Sequence, residues 1–263
     1  YASAGGVTPA MRAEIEAAVK QLENKRQAQR LEIVAFGTIS SGKSSLLNAL
    51  AGRDVFRTNV VGGTTVATSE IPWPLGDSVV LTDTPGLAEA EGEARGIEAA
   101  AAAKNADLEV FVGEGPLKDY EHELLETLTS MEKRVLVCLN KADWYDRAQQ
   151  KELAAQIHEQ VAPAVTLEDV IAVRSRPVER TRVRVLSDGS EEPEKYLEPP
   201  DIQPLARRLL QVVRRDGRDL LLANLLLQSR GLMDDSKGRV LATLDRQAES
   251  LVKPNPGTKV LVM

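Results

Sequence analysis

The sequence predicts a doubly wound α/β domain: a mainly parallel sheet with helices on both faces, extended by helices at both ends. Three observations point there. Short apolar runs of strand length recur between positions 31 and 173. Segments with helical spacing alternate with them. The flanking stretches carry helical spacing without strand-like runs. Buried apolar strands alternating with amphipathic helices are the signature of a parallel sheet covered on both sides.

The elements follow in order. Thr8-Pro9 pairs a hydroxyl cap with a proline at the first helical position, and Ile15, Ala18, Val19 and Leu22 follow at helical spacing, so 8–30 reads as an amphipathic helix. The run 31–36 reads as a strand and 44–51 as a helix. Next comes a strand over 65–73, interrupted by prolines near its end. The runs 79–82, 108–112 and 135–139 read as buried parallel strands, 119–130 and 147–161 as helices, and 170–173 as a further strand. The charged segment 178–200 reads as an exposed hairpin insertion turning at Asp188-Gly189. Asp201 is expected to cap a helix through about 214, with Leu209, Val212 and Val213 as its apolar stripe. Gly217 is expected to break it, leaving one or two helices over 218–252. Leu220, Leu221, Leu222, Leu225, Leu226 and Leu227 need a partner: the main domain, the N-terminal helix, another chain or a membrane surface. The expected organisation is 1–30, an N-terminal helical extension; 31–215, the α/β domain; and 216–263, a C-terminal helical extension.

Composition narrows the function classes. The 263 residues suit one large domain with an appendage. The net charge is −6, which argues against nucleic-acid binding by bulk charge. One cysteine rules out an intramolecular disulfide framework and suits a reducing cytoplasm. No apolar run approaches the roughly 18 residues that span a bilayer. Positions 1–6 lack a signal-peptide pattern, and whether a chain starting with Tyr1 is a fragment is left open by the sequence.

Three ordered motifs carry chemistry. Gly37-Thr38-Ile39-Ser40-Ser41-Gly42-Lys43-Ser44 fits G-x-x-x-x-G-K-[ST] between a strand and a helix. Such a loop curls backbone N–H groups around a phosphate at a helix N-terminus. Gly37, Ser40, Ser41, Gly42, Lys43, Ser44 and Ser45 are the expected phosphate contacts, with the Lys43 ammonium on the β/γ-phosphates and the Ser44 hydroxyl on Mg²⁺. Asp83-Thr84-Pro85-Gly86 follows the strand 79–82, where Asp83 suits a Mg²⁺ contact through water and Gly86 lets its N–H approach a γ-phosphate. Asn140-Lys141-Ala142-Asp143 follows the strand 135–139. The Asp143 carboxylate can accept from guanine N1–H and the 2-amino group, a pair adenine lacks. Asn140 can donate to N7 and tie loops together, and the Lys141 stem can cover the base face.

With Ser44-Ser45-Leu46-Leu47-Asn48-Ala49-Leu50, Gly63-Thr64-Thr65 and Asp83-Thr84-Pro85-Gly86-Leu87, this ordered set resembles the Era/TrmE/septin-like bacterial GTPases, over about 31–215. The resemblance implies a P-loop GTPase fold, GTP and GDP as ligands, Mg²⁺ as cofactor and slow hydrolysis to GDP and phosphate. It makes Thr65, with Thr64 as the alternative, the residue closing on Mg²⁺ and the γ-phosphate, so the expected catalytic set is Lys43, Thr65 and Gly86. It places the last base-contacting motif, usually S-A-[KR], at Arg174-Ser175-Arg176, where Arg and Ser replace Ser and Ala. The leucine-rich C-terminal part is similar to GTPases whose C-terminal segment contacts membrane. That implies a cytoplasmic protein, or one peripheral at the inner face of a membrane.

Two departures bear on mechanism. Ras-like enzymes orient the attacking water with a Gln where this chain has Leu87, so hydrolysis needs another polar group, an activating partner, a second copy or a cation. Some relatives hold K⁺ through a phosphate-loop Asn; Ser40 stands there, a weaker ligand, which disfavours K⁺. Arg53 and Arg57 lie where a first switch belongs; surface charge is the favoured reading of both, with an arginine finger, in cis or across a dimer, as the alternative. The alternative function is a GTP-responsive binding switch with negligible turnover that recruits a partner or membrane through the terminal helices. Cys138 reads as core, His122 and His158 lack metal-ligand partners at useful spacing, and Glu89, Glu91 and Glu93 read as a solvated loop.

Overall fold

The computed structural model describes residues 8–38, 40–56, 69–76, 78–83, 103, 106–185 and 191–252. Thr64, Thr65, Gly86, Leu87, Arg57, the Glu89–Glu91–Glu93 cluster and the Asp188-Gly189 turn lie outside these residues.

Strand β1 (Leu31–Gly37) is followed by α2 (Lys43–Ala51), and α1 (Pro9–Ala28) precedes both. Then come β2 (Ser69–Pro72), β3 (Val79–Asp83), β4 (Leu108–Gly113), α3 (Asp119–Ser130), β5 (Arg134–Leu139), α4 (Arg147–Val161) and β6 (Val170–Ala172). A two-stranded hairpin of β7 (Val178–Val185) and β8 (Glu191–Glu198) leads into α5 (Gln203–Val252). The six-stranded sheet has the order β2-β3-β1-β4-β5-β6. All its pairings are parallel except β2 with β3. Pro72 is tolerated in β2 because β2 is an edge strand.

Alternate residues of the strands feed two cores. Ile33, Ala35, Val110 and Leu136 pack with Leu46, Leu47 and Leu50 of α2 and Leu205, Leu209 and Val212 of α5. Val34, Phe36, Phe111 and Val137 pack with Leu124, Leu125 and Leu128 of α3 and Ile157 and Val161 of α4. The expected helices on both faces are present. Register aligns the carboxyl ends: Ala35 lies beside Asp83, Gly37 beside Val112, Gly113 and Leu139 beside each other, and Leu139 beside Ala172. Every loop that carries a motif therefore leaves the same edge of the sheet, where open α/β sheets bind ligands.

Residues Gln29–Asn224 form one compact unit; 1–28 with 225–263 form a second. In the second unit Thr8 Oγ1 accepts from Met11 N at 3.2 Å, starting α1, and Arg239 pairs with Glu14.

Two expectations about the C-terminal part need correction. Asp201 does not open the helix. Its backbone N–H and C=O pair with Arg174 at 2.8 and 3.0 Å, and α5 begins at Gln203. Gly217 does not break the helix, which is continuous from Gln203 to Val252. A glycine costs a helix only about 1 kcal/mol relative to alanine, and here an added Cβ would meet Leu31 Cδ1 at 3.3 Å, so the bare backbone suits close approach to β1. The leucines are covered only in part: Leu221 and Leu225 are buried, but Leu222 is 45% and Leu226 71% exposed. Among the described residues, no helix is long and apolar enough to cross a membrane.

The hairpin is held by charge across its strands. Arg182 pairs with Glu194 at 2.9 Å and its guanidinium lies over Tyr196, while Lys195 pairs with Glu179 at 2.8 Å. These residues are exposed, except the half-buried Glu194, as expected for a solvated insertion.

Candidate functional site

The loop between β1 and α2 adopts conformations that need its glycines. Gly37 has φ +145°, and a Cβ there would lie 2.3 Å from Val112 O. Gly42 has φ +93°, and a Cβ there would lie 2.3 Å from Asn140 Nδ2. Ser40 also has positive φ, 65°. The first bond of α2 runs from Leu46 N to Gly42 O at 2.8 Å, so the N–H groups of Lys43, Ser44 and Ser45 are the open donors of its first turn.

Lys43 folds back over the loop. Its Nζ donates to Gly37 O and Thr38 O, both at 2.9 Å. Burial pulls its pKa down from 10.5 to about 8, and the Asp83 charge partly opposes that. Ser44 Oγ donates to Asp83 Oδ2 at 2.6 Å across from the end of β3. Two adjoining hard oxygen donors suit Mg²⁺, which takes few protein ligands and keeps waters. Among the described residues the buried Ser41 Oγ has no hydrogen-bond partner, and its backbone carbonyl is held by Asn140.

Asn140 is the tie between the two sides of the site. It is fully buried. Its Nδ2 donates to Ser41 O at 2.8 Å, and its Oδ1 accepts from Ser175 N at 3.1 Å. Lys141 has φ +57°, pairs with Glu114 at 2.9 Å, and its ammonium lies 4.7 Å from the centre of the exposed Trp144 ring. Asp143 follows in a short 3-10 turn and is exposed, with no hydrogen bond or ion pair among the described residues. The loop after β6 brings Ser175 against Gly42 and Asn140.

Arg174 behaves differently from its sequence neighbour. It is buried, its guanidinium donates to Pro199 O at 2.9 Å and meets Glu198 at 3.3 Å, and it closes the base of the hairpin. Of the pair Arg174 and Ser175, only Ser175 is bonded to the Asn140 loop. Arg53 is exposed beside the end of α2.

Two sets of contacts made by residues within the quoted motifs escaped the sequence reading. Asn48 accepts from Val55 N and Phe56 N at 2.9 and 2.8 Å and donates to Phe56 O at 2.8 Å, which fixes the chain leaving α2. It lies inside the quoted segment 44–50, so its position was visible but its role was not. Arg176 Nε donates to Ser45 Oγ at 3.1 Å across 131 positions, a contact no local pattern encodes. Of the tempting residues, Cys138 sits in the core, as read. Cys138 is fully buried, and burial pushes its thiol pKa up. His122 and His158 meet the carbonyls of Gln160 and Val165.

Residues 32–141 match the family model described as 50S ribosome-binding GTPase. This stretch is similar to P-loop GTPase domains. Similar proteins include the tRNA modification GTPase MnmE of Paramagnetospirillum magneticum, 36% identical over 146 residues and 52% of this chain. MnmE of Zymomonas mobilis is 29% identical over 212 residues and 78% of this chain. The chain spans 32% and 43% of the length of these two relatives. Among solved structures, an Aquifex aeolicus Era variant bound to GDP.AlF4- is 24% identical, with 55% of this chain and 50% of that chain covered and a TM-score of 0.46. A probable GTP-binding protein engB is 21% identical, with 70% and 98% covered and a TM-score of 0.47.

Proposed function

We propose that the chain binds GTP and Mg²⁺ and hydrolyses GTP slowly to GDP and phosphate, acting as a switch. The convergence of Lys43, the Ser44–Asp83 pair and the Asn140 cross-tie on one edge of the sheet carries this reading. The loop from Gly37 to Ser45 takes the phosphates through its N–H groups and Lys43. Ser44 and Asp83 hold Mg²⁺, with Thr65, or Thr64, joining them. A bound Mg²⁺ would supply charge neutralisation to the phosphates there. Gly86 offers its N–H to the γ-phosphate. Asn140, Lys141 and Asp143 read guanine, with Ser175 supporting Asn140. The catalytic contribution of these groups is positioning and charge stabilisation. The expected organisation into 1–30, 31–215 and 216–263 goes with this reading.

A second reading keeps the same ligand but drops turnover: a GTP-responsive switch that recruits a protein partner or a membrane surface through its terminal helices. Leu87 favours it, because a leucine cannot orient water through its side chain. Phosphate release at saturating GTP separates the two. Unassisted hydrolysis is expected at about 10⁻⁴–10⁻² s⁻¹. Turnover of several per second would contradict the account of Leu87, and no release at all would leave the binding switch. Lys43→Ala is expected to abolish triphosphate binding in a folded protein. Comparing Na⁺ with K⁺ buffers tests Ser40, where little stimulation by K⁺ is expected.

A further inference from the structure

We infer that Arg176 is a positioning residue for the α-phosphate of the bound guanine nucleotide. The inference rests on the nucleotide-site reading above and extends it to a side chain outside the phosphate loop. Ser44 and Ser45 are consecutive in the first turn of α2, so their side chains diverge by about 100° around the helix. Ser44 faces Asp83, and Ser45 faces Arg176, whose Nε donates to Ser45 Oγ at 3.1 Å. A phosphate chain lying over the open N–H groups of this turn has Lys43 and Ser44 at one end and Arg176 at the other.

The second constraint is the loop that carries Arg176. Its immediate neighbour Ser175 is bonded through its N–H to Asn140, and Asn140 leads directly to Lys141 and Asp143. Arg176 therefore stands between the groups that face the base and the turn that faces the phosphates. In a nucleoside triphosphate the α-phosphate occupies that intermediate place. The guanidinium is also uncommitted: among the described residues it has no carboxylate partner, and Ser45 is its hydrogen-bond acceptor. Arg174, two positions earlier, is spent on Glu198 and Pro199. A planar cation with several N–H donors can hold Ser45 and a phosphate oxygen together.

The test is competition of GTP, GDP, GMP and guanosine against a fluorescent GDP on the full chain, for wild type, Arg176→Ala and Arg176→Lys. Arg176→Ala is expected to weaken GTP, GDP and GMP by a common factor of about tenfold, the scale of one lost charged hydrogen bond. Guanosine, which has no phosphate, is expected to bind both proteins alike, and Arg176→Lys is expected to recover most of the phosphate-dependent affinity. Unchanged phosphate binding in Arg176→Ala would overturn the inference. So would an equal loss for guanosine, because Arg176 would then act through the base loop. A folded wild type that binds none of the four ligands overturns the nucleotide reading itself. A wild type that binds them, with a silent Arg176→Ala, removes only the assignment of Arg176.

Discussion

Replacing Asn140 by alanine removes the bond that closes the site in the free protein. The side chain is fully buried. Both its polar atoms are used, one on Ser41 O and one on Ser175 N. The alanine leaves a carbonyl and an N–H that Asn140 had satisfied. Each unsatisfied buried group costs about 1–3 kcal/mol, so the two together predict a loss of about 2–6 kcal/mol. That is a large fraction of a typical domain stability of roughly 5–15 kcal/mol. The substitution also releases the β6 loop from the phosphate loop, so nucleotide affinity is expected to fall with stability. The assay is equilibrium urea denaturation without nucleotide, followed by circular dichroism, with a GTP titration of the same samples under native conditions. A change in unfolding free energy below about 0.5 kcal/mol, the size of a neutral surface substitution, would refute the reasoning. It would mean that water or a small backbone shift satisfies both groups.

Two further predictions probe the fold around the site. Glu109 in β4 is fully buried, neither of its carboxylate oxygens has a hydrogen-bond partner among the described residues, and burial pushes its pKa up from 4.5 to about 8, with Lys133 opposing. The folded state therefore binds the extra proton between these values, and wild-type stability is expected to fall as pH rises from about 4.5 through about 8 and then level off. Glu109→Gln is expected to flatten that decline in melting temperature; an unchanged slope would exonerate Glu109. Gly42→Ala is expected to destabilise the free protein and abolish nucleotide binding, since the new Cβ would overlap Asn140 at a backbone φ of +93°. Wild-type denaturation and GTP binding in this variant would contradict the loop geometry.

Legibility in the sequence followed the range of each interaction. The phosphate loop was readable because its pattern is local: a strand, a turn that needs Gly42, and a helix, all within the reach of single-sequence spacing. The parallel strands 108–112 and 135–139 were readable because burial on both faces demands an unbroken apolar run. The antiparallel direction of β2 was not, since an apolar run has no arrow. The C-terminal part misled for a similar reason. Gly217 is a helix breaker by propensity, but packing against Leu31 outweighs a penalty of about 1 kcal/mol. Asp201 has the chemistry of a cap, yet its backbone is taken by Arg174 from a distant segment. Arg174 and Arg176 are chemically alike and two positions apart; only the hairpin base, which engages one and leaves the other facing Ser45, tells them apart.

The central claim is that Asp143 reads guanine, and changing the base is its most direct test. The carboxylate accepts from N1–H and the 2-amino group of guanine, whereas Asn presents one acceptor and one donor, matching xanthine's N1–H and 2-carbonyl. Losing two hydrogen bonds to a charged group, at about 1.5–3 kcal/mol each, costs GTP roughly 3–6 kcal/mol, on the order of a hundredfold to ten-thousandfold in affinity. Competition by GTP, XTP and ATP against one fluorescent nucleotide, on wild type and Asp143→Asn, reads this directly. The account predicts that preference moves from GTP to XTP while ATP binds poorly to both. An Asp143→Asn protein that keeps its full preference for GTP would contradict it.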